Sequence, residues 1–334
     1  MANALTTRRE TESFMARVLV TEKIADVGLD VLRDAGHEVD VQLGLSPEDL
    51  LSAMEGAAGI LVRSATTVDA DVIAAAGGSL VAIGRAGVGL DNVDVAAATA
   101  AGVLVANAPT ANSVSAAEHT LAMLLASARN IPQANQSMHE GRWERSSFGG
   151  VELFGKTLGI VGLGNIGRLV AERAAAFGMT LVAHDPFVDA ALAESVGAEL
   201  LDLEEVVRRS DFLTLHLART PQTVDLINAE LLASCAQPNL RIVNVARGGI
   251  VNEADLAAAI QAGTIAGAAL DVFAQEPLES SPLLDIPQVI VTPHLGASTG
   301  EAQARAGQTA ADQIRLALAG DEVTYAVNAA DVSG

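Results

Sequence analysis

Leu158-Gly-Ile-Val-Gly-Leu-Gly-Asn-Ile-Gly-Arg168 is the stretch that decides the fold of this 334-residue chain. An apolar run of strand length ends at Gly162, and helical spacing begins after Gly164. Gly162 permits a tight turn, Gly164 lets a backbone approach a pyrophosphate, and Gly167 lets the helix pack close to its strand. The N–H groups of Asn165 and Ile166 would then face the phosphates from the positive end of that helix. The next strand-like run closes on Asp185, 23 residues after Gly162. A carboxylate there would bind the adenosine ribose hydroxyls and repel a 2′-phosphate, so the expected cofactor is NAD. His184 reads equally as a wall of the adenosine pocket or as a plain strand-end histidine.

Working outward, β-branched runs alternate with alanine-rich helical stretches, the pattern of βαβ units around parallel sheets. Expected strands are 17–21, 38–42, 59–63, 80–84 and 103–106, then 158–163, 180–184, 212–216, 241–246, 267–272 and 289–292. At Asn107-Ala-Pro the pattern breaks, and Ser113 or Ser115 can cap a helix reaching about Arg129. A last helix, roughly Glu301 to Ala319, has no strand of its own left to serve and is expected to cross back onto the first domain. The fold class is therefore α/β with two doubly wound parallel-sheet domains: a Rossmann NAD-binding domain over 111–301 and a flavodoxin-like substrate domain over 16–110 and 302–330. Residues 1–15 read as a disordered leader, with Met15 a possible alternative start.

Three segments downstream of the glycine turn carry chemistry: Asn-Val-Ala-Arg at 244–247, Asp-Val-Phe-Ala-Gln-Glu-Pro at 271–277 and Thr-Pro-His-Leu-Gly-Ala at 292–297. Arg247, Glu276 and His294 each follow the end of an expected strand, the edge where doubly wound sheets bind ligands. Oxidising a secondary alcohol needs a base for the hydroxyl proton while hydride leaves the same carbon. His294 suits that task, with Glu276 to stabilise its imidazolium. A planar guanidinium at Arg247 can grip a carboxylate through two hydrogen bonds, which implies a 2-hydroxy or 2-oxo acid. Asp271 is expected to orient the nicotinamide carboxamide, and His216 to touch the cofactor. Singly, each residue has a structural alternative: an Arg247–Glu276 ion pair tying loops together, or a satisfied buried His294.

Bulk properties narrow the classes. The formal charge of −21, from 20 basic and 41 acidic side chains, disfavours nucleic acid and anionic lipid as partners. No apolar run approaches the roughly 20 residues of a membrane span. With lysine only at Lys23 and Lys156, arginines must hold any anionic substrate. One cysteine, Cys235, excludes an internal disulfide and a cysteine-cluster zinc site, reads as a partly buried helix residue, and fits a reducing, cytoplasmic setting. No metal site is expected. His37, His119 and His139 read as surface or helix histidines, and Trp143 as packed in the linker.

The glycine turn, Asn-x-Ala-Arg-Gly-Gly at 244–249, Asp-Val-Phe-x-x-Glu-Pro at 271–277 and Pro-His-Leu-Gly at 293–296 resemble the D-isomer-specific 2-hydroxy acid dehydrogenase family from about residue 16 to 327. The resemblance implies cofactor contacts from Val88, Leu217, Val245, Ala246, Gly296 and Ala297 as well as Arg247 and His294. Leu217 stands where some members carry threonine. Ile83-Gly-Arg-Ala-Gly-Val-Gly-Leu-Asp-Asn-Val-Asp94 and the stretch from Asn107 to His119 are similar to the branch that acts on a phosphorylated 2-hydroxy acid. In that branch Arg63 and Arg85 would hold phosphate, and Gly87, Val88 and Gly89 would offer backbone N–H groups to the carboxylate. Arg63 and Arg85 could instead form salt bridges at the domain seam.

The resemblance implies oxidation of 3-phospho-D-glycerate, with reduction of glyoxylate, hydroxypyruvate or another 2-oxo acid as the alternative. A dinucleotide-sensing binding protein is a third, minor reading. The family resemblance further implies a homodimer or homotetramer, with the helix near Ser113 helping to form the dimer, and a cleft that closes on its ligands. The short polar tail after Val327 leads to the expectation of no appended regulatory domain.

Overall fold

The computed structural model describes residues 15–235 and 238–332. All of the expected leader except the exposed Met15 lies outside the described residues. The described chain forms two compact units, one running to Asn112 and resuming at Thr299, the other spanning Ser113–Ser298.

The first unit holds five parallel strands: β1 (Arg17–Val20), β2 (Glu38–Val41), β3 (Gly59–Val62), β4 (Ala82–Arg85) and β5 (Leu104–Ala106). Their order, β2-β1-β3-β4-β5, is the flavodoxin-like arrangement. Alternation along β1 sends Val18 and Val20 into one apolar layer and Leu19 into the other, so the sheet is covered on both faces. Part of that cover is the late helix Gly300–Ala319, whose Ala306, Ala310, Ala311 and Ile314 lie buried with Val18 and Val20. It meets the helix Asp26–Asp34 where two glycines touch: a Cβ on Gly28 would fall 2.7 Å from the Gly307 carbonyl carbon.

The second unit holds seven parallel strands: β6 (Thr157–Val161), β7 (Thr180–His184), β8 (Ala198–Leu200), β9 (Phe212–Leu215), β10 (Arg241–Asn244), β11 (Gly267–Leu270) and β12 (Val289–Val291). The order β12-β11-β10-β9-β6-β7-β8 reverses direction between β9 and β6, the doubly wound pattern that opens a ligand crevice beyond the strand ends. Leu158 and Ile160 face one core layer and Val161 the other. Burying side chains of this size stabilises by roughly 1.5–3 kcal/mol each. The helix Ser113–Arg129 lies over β10, β11 and β12 with Leu121, Met123 and Leu124 buried.

Both α/β sheets follow the expected class, with three local corrections. Periodicity misses β8, because an edge strand of three residues with an exposed Glu199 carries no apolar alternation. Most strands end one or two residues early where the turn chemistry takes over, as at Gly162, whose φ is +96°, whereas β4, expected at 80–84, starts at Ala82 and runs on to Arg85. Trp143 is 80% exposed rather than packed in the linker, because its neighbours are charged or polar and supply no apolar cover.

Candidate active site

The glycine turn is shaped by what surrounds each glycine. A Cβ at Gly162 would fall 2.4 Å from the His216 carbonyl oxygen, and one at Gly167 would fall 2.1 Å from the Gly162 carbonyl oxygen. Over Gly164 nothing lies within 4 Å, so open space remains where a pyrophosphate must approach. The helix Asn165–Ala176 starts there with Gly164 as its N-cap and no side-chain cap. Its first N–H groups, those of Asn165, Ile166 and Gly167, have no partner within the helix and are placed for anionic oxygens. The Arg168 guanidinium bonds Asn165 Oδ1 at 2.9 Å on the same turn.

At the end of β7, Asp185 Oδ2 accepts the Leu163 N–H at 2.8 Å and Oδ1 accepts the Phe187 N–H at 2.9 Å. The half-exposed carboxylate is thereby fixed against the glycine turn, with lone pairs left for ribose hydroxyls. These residues fit a dinucleotide. His184 Nδ1 lies 3.0 Å from the Leu201 carbonyl oxygen, a strand-to-strand tie. His216 sits behind Gly162 with Nε2 3.1 Å from Thr214 Oγ1, and burial pushes its pKa down to about 4. It is neutral at physiological pH. Leu217 also borders Gly162.

Arg247, Glu276 and His294 follow β10, β11 and β12, three adjacent strands. His294 Nδ1 is 2.6 Å from Glu276 Oε2. That hydrogen bond, outweighing burial, raises the His294 pKa above its ordinary value. Burial would raise the Glu276 carboxyl, but the bonds from His294 and from the Phe273 N–H at 2.9 Å hold it below the usual range. The Arg247 charge, from the end of β10 two strands away, acts on the same imidazole in the opposite sense, lowering its pKa.

The backbone around these three groups is clamped by side chains. Asn244, buried at the end of β10, accepts the Ala246 N–H at 3.0 Å and donates to the Arg247 carbonyl at 2.9 Å. Arg247 Nη1 donates to the Ala246 carbonyl at 2.8 Å. Gly248 permits contact with the next loop, since a Cβ there would fall 1.6 Å from the Phe273 carbonyl oxygen. Gly296 packs against Val245, where a Cβ would come within 2.9 Å of its methyl group. Ala297 continues that half-buried loop.

Asp271, expected beside the nicotinamide, is fully buried and holds the loop that carries His294. It accepts the Leu295 and Gly296 N–H groups at 2.7 and 2.8 Å and the Thr292 hydroxyl at 2.5 Å. His119 Nε2 reaches the same carboxylate at 3.2 Å, so this histidine is not the surface residue its isolated position suggests. Asn244, Gly248 and His119 escape motif reading as functional groups. The first two lie inside the quoted 244–249 segment, whereas nothing in the sequence ties His119 to Asp271.

In the first unit Arg63 and Arg85 stand at the ends of adjacent strands, with Val62 in register opposite Arg85. Glu22 shapes the loop after β3 by accepting the N–H groups of Arg63, Ala65 and Thr66 at 2.8, 3.1 and 3.0 Å. Asn92 donates to the Arg63 and Thr66 carbonyls from the other side. The Arg85 guanidinium lies so close over Gly87 that a Cβ there would overlap it. Asn107 Nδ2 donates to the Val88 carbonyl at 2.6 Å, and the Ala108 N–H to that of Gly87 at 2.9 Å. Thus Asn107-Ala-Pro, the break in the sequence pattern, fastens the Gly87–Gly89 turn.

Residues 121–296 match the family described as D-isomer specific 2-hydroxyacid dehydrogenase, NAD binding domain. The chain is 56% identical over 313 residues to D-3-phosphoglycerate dehydrogenase of Mycobacterium bovis, covering 93% of this chain and 58% of that protein. It therefore spans well under two thirds of that curated relative's length. Among solved structures, the TT0316 protein from Thermus thermophilus aligns with a TM-score of 0.85 at 36% identity, over 93% of this chain and 99% of that one. A glyoxylate reductase from Paecilomyes thermophila aligns with a TM-score of 0.83 at 28% identity, over 94% and 98%. The chain belongs to the D-isomer specific 2-hydroxyacid dehydrogenase family and carries its NAD-binding domain.

Proposed function

We propose that this protein is an NAD-dependent dehydrogenase that oxidises 3-phospho-D-glycerate to 3-phosphohydroxypyruvate, the first step of serine synthesis. The observation that carries the reading is the 2.6 Å His294–Glu276 pair, one strand end from Arg247 in the unit that holds the glycine turn. Identity of 56% with the mycobacterial enzyme supports the choice of substrate.

Bound NAD supplies the acceptor for the hydride that leaves C2. Glu276 is an acceptor at neutral pH, so it selects the tautomer of His294 with the proton on Nδ1. Nε2 is then the ring nitrogen with a lone pair, and it takes the hydroxyl proton from C2. The Glu276 charge stabilises the resulting imidazolium. In the reverse direction that imidazolium returns the proton to the carbonyl oxygen. Arg247 holds the substrate carboxylate and polarises the oxygen on C2, together with N–H groups of Gly87, Val88 and Gly89. Arg63 and Arg85 are assigned to the phosphate. Gly162, Gly164, Asn165, Ile166 and Gly167 take the pyrophosphate, Asp185 the adenosine ribose, and His216, Leu217, Val245, Ala246, Gly296 and Ala297 line the cofactor, with Asp271 behind Gly296 holding that wall in place.

Likeness to a glyoxylate reductase favours a second reading in which chemistry is kept and the substrate is a small 2-oxo acid. A panel assayed by loss of NADH absorbance separates them. The first reading expects phosphohydroxypyruvate to be preferred, and Arg63→Gln with Arg85→Gln to abolish that preference while sparing glyoxylate. Equal discrimination before and after substitution would overturn it.

We also infer a homo-oligomer formed through the second unit. Trp143 and Phe154 are 80% and 77% exposed there. Phe154 borders a hollow of about 320 Å³ lined by Leu125, Val151, Leu153 and Phe177. Apolar patches of this kind mark contact surfaces.

A further inference from the structure

We propose that His119 is a positioning residue for proton transfer: from the helix Ser113–Arg129 it holds Asp271, and through Asp271 the backbone of Leu295 and Gly296, keeping His294 in reach of Glu276. The inference rests on the reading of His294 as the proton-transfer group.

The loop from Thr292 to Gly296 bends sharply, and His294 sits at φ +56°, a left-handed conformation that non-glycine residues adopt only when their surroundings enforce it. The enforcement is visible. The His294 N–H donates to the Asp271 carbonyl at 2.8 Å and is 3.1 Å from that of Thr292. The Asp271 carboxylate takes the next two N–H groups at 2.7 and 2.8 Å. One side chain therefore grips the loop immediately after the imidazole.

Asp271 itself is fully buried, so its carboxylate is held ionised only by its donors. Burial would raise its pKa, and the bonds from His119, Thr292, Leu295 and Gly296 lower it below the usual value. Three of those four donors belong to the loop being held and move with it. His119 does not. Its Nε2 lies 3.2 Å from Asp271 Oδ1 and 3.2 Å from Thr292 Oγ1, tying both to a helix packed over β10, β11 and β12. Because a carboxylate accepts only, the Nε2 proton is assigned to this bond. Met123, one turn further along the helix, lies 3.8 Å from the same Thr292 hydroxyl. Misplacement of a catalytic group by about 1 Å can cost about 100-fold in rate, so a loosened anchor should be felt in turnover.

The test uses the full chain with His119→Leu, which keeps bulk and loses the donor, and His119→Gln, which returns an N–H near the Nε2 position. Two readouts are taken: the NMR titration of the His294 imidazole, and turnover with phosphohydroxypyruvate at saturating NADH. The charged groups facing His294 are Glu276, Asp271 and Arg247, all unaltered in these variants. Simple removal of a nearby cation would raise the His294 pKa. Loosened contact with Glu276 would lower it toward about 6.5.

The proposal expects His119→Leu to lower that pKa and reduce turnover about tenfold, with KM for NADH within twofold, an effect well inside what misplacement can cause. His119→Gln should restore both. An unchanged or raised His294 pKa in His119→Leu, or equal loss in the Leu and Gln variants, overturns it. Should His119→Leu fail to fold, His119→Phe, which keeps a ring and loses the donor, decides by the same two readouts. An inactive parent protein would sink the functional reading, while the titration would still settle the positioning.

Discussion

Protonation of His294 is the residue-scale event on which turnover depends, and its sign can be worked out. Glu276 raises the imidazole pKa above the ordinary 6.5. Oxidation needs the neutral ring, so its rate should climb as pH rises through that pKa, and reduction should fall over the same range. Removing the carboxylate charge with Glu276→Gln lowers the pKa, so both limbs should move to lower pH while turnover drops by about 100-fold, the scale of a lost acid–base partner. A pH profile with unmoved limbs would show that Glu276 does not act on His294. The imidazole of His216, with its pKa near 4, should not titrate between pH 5 and 9 in the same NMR series. Arg247, Glu276 and His294 were legible in sequence because each belongs to a compact motif at a strand end. His119 was not, since it meets Thr292 across 173 positions and only folding brings them together.

Elements set the distances between those residues, and glycine decides how closely elements approach. The contact between the loops after β10 and β11 depends on Gly248, where a Cβ would collide with the Phe273 backbone at 1.6 Å. Backbone cannot rotate away as a side chain can, so Gly248→Ala should separate Arg247 from Glu276. We expect a stability loss of about 1–3 kcal/mol, typical of overpacking, with a lowered thermal midpoint and a turnover loss greater than stability explains. Wild-type turnover in a folded Gly248→Ala protein would show that the two loops need not touch. Among the described residues, sequence periodicity located eleven of the twelve strands, most because they are buried apolar runs and β2 because Val39 and Val41 alternate with acidic residues. It missed β8, where Ala198-Glu-Leu is too short and too polar to announce itself. Asn107-Ala-Pro was visible as a break, but its task of fastening the Gly87–Gly89 turn was not.

The whole molecule carries a formal charge of −21, and self-repulsion on that scale opposes compaction. Raising ionic strength from about 0.01 to 0.15 M shortens the screening length from about 30 to about 8 Å. The thermal midpoint should therefore rise with sodium chloride, and a midpoint that falls would indicate that favourable ion pairs outweigh the excess of acid. Composition announced this property directly. It could not announce the fate of Trp143, which lies in the open because its charged and polar neighbours cannot cover it. If the apolar hollow beside Phe154 joins copies of the chain, Phe154→Glu should give a smaller species by sedimentation or light scattering. An unchanged mass would place the contact elsewhere.

The most direct trial of the account is the turnover of His294→Ala with phosphohydroxypyruvate, followed as NADH consumption beside a separate measurement of NADH binding. We expect a rate loss of about 100- to 10,000-fold, the usual contribution of a positioned acid, with NADH affinity nearly unchanged. Turnover within a few-fold of the parent would contradict it.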